Sequence, residues 1–79
     1  MDAKNIDTWF AAECERTLDA ASASGELYRR YLAHVGEPWR AMSHRRFVQT
    51  LCSRFGCSRS RLRGERALRG VALRPQDYI

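Results

Sequence analysis

SHRRFVQTLCSRFGCSRSRLRGERALRGVAL, residues 43–73, changes its apolar period part-way along, and the change decides the fold. In the first part Phe47, Val48, Leu51, Cys52 and Phe55 recur at i, i+1, i+4, i+5 and i+8, so they share one helical face. Ser43 stands where an N-cap belongs and Gly56 where a helix ends, which predicts a helix over 43–55. Beyond Gly56 two strands are predicted, about 58–63 and 67–73, flanking the turn Arg63-Gly64-Glu65-Arg66. Gly64 supplies the positive φ that a tight hairpin needs. Arg59, Arg61 and Arg63 alternate and so share one strand face, while Leu62, Leu68, Val71 and Leu73 are placed to pack on the helices. Pro75 is expected to end the sheet, with Tyr78 and Ile79 of the tail against the body.

Working back toward the N-terminus, residues 25–35, GELYRRYLAHV, read as a second helix with Leu27, Tyr28, Tyr31, Leu32 and Val35 inward. Gly36 and Pro38 close it, and Ser22 or Ser24 is the expected cap at its start. His34 sits near its end, where dipole or partial burial accounts for it. Residues 37–42, EPWRAM, make the turn into the third helix, with Trp39 either wedged between helices or partly exposed. Residues 6–21, IDTWFAAECERTLDAA, read as a first helix whose stripe is Trp9, Phe10, Cys14, Leu18 and Ala21. The expected fold is mainly α with a small β hairpin (α+β): a winged helix-turn-helix of three helices plus a β wing over 57–73, in a single domain spanning 1–79.

Charge is divided along the chain. Residues 1–27 carry six acids against two bases, a net of −4; residues 28–79 carry twelve bases against three acids, a net of +9, which together give the overall +5. All but one of the fourteen basic residues are arginine, the exception being Lys4. Arginine's planar fork matches phosphates and guanine edges, which lysine's point charge does not. The outer face of the third helix presents Arg46, Gln49 and Ser53, flanked by Arg45 and Thr50, and no acid occurs between Arg40 and Gly64. Ordinary surface helices mix Glu with Arg and Lys. A face of donors, hydroxyls and an amide is instead what reads base edges and phosphates. The nucleic-acid-binding candidates are therefore Arg45, Arg46, Gln49, Thr50, Ser53 and Arg54 of the helix and Arg59, Arg61, Arg63 and Arg66 of the hairpin.

Several classes of function are disfavoured. A chain of 79 residues buries only about 60% of its unfolded surface and has little room for a deep cleft. No nucleophile–base pair or paired-carboxylate site can be drawn, so an enzyme is not expected. Cys14, Cys52 and Cys57 are odd in number, form no CxxC, and with His34 and His44 match no common zinc spacing, so no metal and no cofactor are expected. No apolar run approaches membrane-spanning length and the polar N-terminus lacks a signal-peptide core, which implies a cytoplasmic protein without membrane partners.

SGELYRRYLAHVGEPWRAMSHRRFVQTLCSRFG, together with the hairpin ending RGVAL, resembles the C-terminal winged-helix domain of phage and plasmid primase-helicases of the poxvirus-type family. Leu27, Tyr28 and Tyr31 match that family's first segment, Ser43, Arg45, Arg46, Phe47 and Leu51 its recognition helix, and Gly70, Val71 and Leu73 its closing strand. The likeness covers about residues 6–74; the family's usual Trp one turn beyond the second tyrosine is His34 here. It implies a DNA-binding fold with Arg45, Arg46 and the wing arginines as contacts. Primer synthesis and ATP hydrolysis do not carry over, since no GxxxxGK[ST] loop or acidic metal cluster is present. The chain is read as an excised module or a free-standing mobile-element protein. Its expected function is binding double-stranded DNA in replication or regulation, with the third helix in the major groove. The alternative is a small phage-type protein that uses the same basic face to inhibit a host protein or a nucleic-acid-guided defence complex. Partners are thus DNA or a host or replication protein, with a homodimer open.

Overall fold

In the computed structural model, which describes residues 4–74, helix α1 (Lys4–Glu13) runs directly into strand β1 (Cys14–Ala23). Helix α2 (Ser24–Val35), a 3₁₀ turn (Pro38–Arg40), helix α3 (His44–Phe55) and strands β2 (Ser58–Leu62) and β3 (Glu65–Leu73) follow. The described residues form a small α+β structure of three α-helices and one three-stranded antiparallel sheet in the order β1-β3-β2.

The predicted first helix over 6–21 is overturned in its second half. From Cys14 onward the chain pairs with β3, Cys14 opposite Leu73, Arg16 opposite Val71 and Ala23 opposite Ala67. Helix-favouring residues such as Glu15, Arg16 and Leu18 are overridden because β3 offers an open edge of backbone donors and acceptors. The register shifts between Arg16 and Ala21, so the intervening residues bulge out and Leu18 is 90% exposed rather than in a core stripe. On the partner strand Gly70, at φ 97°, takes up the irregularity, which lets Leu68 and Val71, three residues apart, both reach the core.

The core joins Ile6, Trp9 and Phe10 of α1, Leu27 and Tyr31 of α2, Phe47 and Leu51 of α3, and Leu68 and Val71 of β3. Phe47 is its centre, with ring centroids 5.4 Å from Trp9, 4.9 Å from Tyr31 and 5.3 Å from Tyr28. Phe10 stacks on Phe55 at 4.1 Å and ties α1 to the end of α3. Neither Ser22 nor Ser24 caps α2. The cap residue is Ala23, with no side-chain bond, while the Ser22 hydroxyl donates to the Val71 carbonyl within the sheet and that of Ser24 donates to the Arg66 carbonyl, pinning the start of α2 to β3. Trp39 is 75% exposed on its 3₁₀ turn and is no wedge, and Leu62 lies exposed near the hairpin tip. Expectations for Pro75, Tyr78 and Ile79 fall outside the described residues.

Candidate nucleic-acid interface

The placement of α3 begins with its N-terminus. The Ser43 hydroxyl accepts the Arg46 N–H at 3.3 Å, and Ser43 O accepts from Phe47 N at 2.9 Å. The segment before it is held by a relay of side chains. Tyr28 donates to the Met42 carbonyl at 2.8 Å, and the Met42 N–H donates to the Tyr31 hydroxyl at 3.1 Å. Tyr31 in turn donates to Asn5 Oδ1 at 2.8 Å, and Asn5 Nδ2 donates to the Arg40 carbonyl at 2.8 Å. The two tyrosines therefore set the angle between α2 and α3 as well as filling the core. At the other end Gly56 takes the left-handed conformation, Cys57 N–H returns to the Leu51 carbonyl at 3.2 Å, and Arg16 donates to the Phe55 carbonyl at 2.8 Å.

The hairpin is tighter than expected. Leu62 pairs with Glu65, so the turn is Arg63-Gly64 alone, and both residues have positive φ, 54° and 83°. Positive φ at both central positions is the requirement of a type I′ turn. Arg63 is thus a turn residue and does not continue the face of Arg59 and Arg61. In an antiparallel pair, opposite residues project to the same side. Arg61 opposes Arg66 and Arg59 opposes Leu68, so Arg59, Arg61 and Arg66 share the side on which Leu68 enters the core.

That side of the hairpin and the N-terminal half of α3 enclose a groove of about 810 Å³. Its rim is Arg45, Arg59, Arg61 and Arg66, and its lining includes His44, Val48 and Leu68 but, among the described residues, no acid. Glu26 and Glu65 line the adjoining depression together with Arg29 and Arg66. His44 is exposed, and Tyr28 covers one face of its imidazole, with centroids 4.6 Å apart and planes 11° from parallel. Apart from Arg61, which donates to the Gly64 carbonyl at 3.2 Å, the rim arginines make no side-chain hydrogen bond or ion pair among the described residues.

The sequence candidates therefore separate. Arg45, Arg59, Arg61 and Arg66 converge on the groove, and Arg63 stands at the hairpin tip. Arg46, Gln49 and Ser53 are exposed on α3 but do not line the groove, and the Ser53 hydroxyl turns back to the Thr50 carbonyl. Thr50 is half-buried, and its hydroxyl donates to the Arg46 carbonyl at 2.8 Å and lies 3.6 Å from Met42 Sδ, so it is engaged within the protein. Arg54 is paired with Asp7 of α1 at 3.0 Å and does not line the groove. Sequence reasoning passed over His44 and Val48; their position at the start of α3, one turn apart and flanking Arg45, was the available signal.

The remaining polar chemistry is structural. Glu13 bridges Arg30 at 3.3 Å and His34 at 3.7 Å, joining α1 to α2. Burial, reinforced by neighbouring Glu13, pushes the Cys14 thiol up to about 12, and burial raises that of Cys57 as well, so both are neutral near pH 7. No three of the described His, Cys, Asp and Glu residues are grouped to hold a metal ion. No helix among the described residues is long and apolar enough to cross a membrane. No family model matches the chain, and no curated protein or solved structure is significantly similar to it.

Proposed function

We propose that the chain is a winged-helix module that binds double-stranded DNA, with α3 toward the major groove and the β2–β3 hairpin as its wing. The observation that carries the reading is the convergence of Arg45, Arg59, Arg61 and Arg66 on one groove that no described acid lines. Arg61 and Arg66 face each other directly across the hairpin, an arrangement that costs stability in the free protein. A polyanion brought to the groove turns that repulsion into attraction. The order helix–strand–helix–helix–strand–strand, with β3 central in the sheet, is compatible with a winged helix. Arg46 and Gln49, exposed and acid-free, are the residues suited to guanine and adenine edges. A role in replication or regulation of a phage or plasmid, in the cytoplasm, belongs to this reading.

The test is fluorescence anisotropy with labelled duplexes of differing sequence. Arg46→Ala should weaken binding by about 1–3 kcal/mol on preferred sequences only, and Arg61→Ala should weaken all duplexes alike. Absence of duplex binding at low salt would overturn the reading. The second reading, blockade of a host protein or defence complex, draws on the apolar Val48 and Leu68 within the arginine rim, a pattern that also suits a protein interface. It requires stoichiometric capture of one purified partner that survives nuclease treatment.

A further inference from the structure

The groove is built for more than a phosphate backbone. Backbone contacts need exposed cations, which the hairpin alone supplies, whereas here the arginines rim a concavity with apolar groups inside it. Its volume of about 810 Å³ falls in the range of clefts that take small-molecule ligands, roughly 300–1,000 Å³. His44 adds a stacking surface. Tyr28 backs one face of the imidazole in a near-parallel stack, and His44 is exposed where the groove meets the adjoining depression, so the face away from Tyr28 is the one available to a second ring. The ring is held in place from below, since the Tyr28 hydroxyl is fixed on the Met42 carbonyl. A pre-oriented aromatic face beside arginine planes, over an apolar floor, is the chemistry that holds an unstacked base, and it is of no use to a base still inside a duplex.

We propose that this groove receives an unpaired nucleotide, stacked on His44 with its phosphates between Arg45 and the pair Arg59 and Arg61. The chain then prefers duplex DNA carrying a short single-stranded extension over blunt duplex. This inference rests on the DNA-binding reading and deepens it by naming the form of DNA.

The experiment compares Kd for a blunt duplex and for the same duplex with a two-nucleotide extension, at one salt concentration. Base–aromatic stacking predicts at least about fivefold tighter binding of the extended duplex. His44→Ala should bring the ratio of the two affinities to within about twofold of one, and His44→Phe, which keeps an aromatic face without a titratable ring, should restore the preference. His44 is the first residue of α3 and exposed, so neither change removes a core group or the Ser43 cap; thermal melts of both variants check this. Equal affinity for the two duplexes overturns the groove proposal and leaves DNA binding standing. A preference that survives in His44→Ala overturns the stacking role, and failure to bind either duplex overturns both readings.

Discussion

Salt dependence weighs the groove arginines one at a time. If Arg45, Arg59, Arg61 and Arg66 each neutralise one phosphate, log K falls against log salt with a slope of about −0.9 per contact, or about −3.6 in all. Raising salt from 50 to 200 mM should then weaken binding by about 150-fold. Replacing any one of the four with alanine should flatten the slope by about 0.9, and replacing two by about 1.8. Folding should survive, because among the described residues the one side-chain bond of this set is that of Arg61 to the Gly64 carbonyl within its own turn. Removing Arg61 or Arg66 also relieves a like-charge cross-strand pair, an effect of about 0.2–1 kcal/mol in favour of the fold. The assay is anisotropy of a labelled duplex over at least five salt concentrations, with melts of every variant. A wild-type slope near zero, or a slope unchanged in the Arg45→Ala and Arg61→Ala variants, would refute the assignment of phosphates to this groove.

Other outcomes follow from individual contacts. Arg54→Ala should leave the salt slope unchanged and cost no more than about 1 kcal/mol, since its half-exposed pair with Asp7 lies on the α1 side; a slope change equal to that of Arg45→Ala would return Arg54 to the interface. Arg63→Gly should raise stability in urea by about 1 kcal/mol, because Arg63 holds φ at 54° without a structural bond among the described residues; a lower midpoint would mean that its side chain packs usefully. Phe47→Ala should cost about 3–5 kcal/mol, enough to unfold much of a domain this small, read by circular dichroism at 25 °C; a cooperative melt close to wild type would contradict its central place in the core. The Cys14 thiol ionises less readily folded than unfolded, so its contribution is intact below pH 9 and is lost as pH rises from about 9 toward 12. The fall in urea midpoint across that window should be shallower in Cys14→Ala.

The chain's local signals determined α3 almost completely. Ser43, the apolar positions from Phe47 to Phe55, and Gly56 act over a few residues, through a side-chain cap, one buried stripe and one left-handed conformation. The end of α2 at Gly36 and the hairpin reversal at Gly64 have the same local origin, a glycine at positive φ. Residues 14–23 were illegible for the opposite reason. Their composition favours helix, and only pairing with β3, some fifty residues away, makes them a strand and pushes Leu18 out to solvent. The basic character of the second half could be counted from the sequence, but which arginines act together could not. Arg45 and Arg54 flank the apolar stripe of α3 on opposite sides, and the sequence does not say which side meets the hairpin; tertiary packing pairs Arg54 with Asp7 and sets Arg45 at the groove. That division depends on the angle at which Tyr28, Tyr31 and Asn5 hold the segment before α3, and no periodicity encodes an angle between elements.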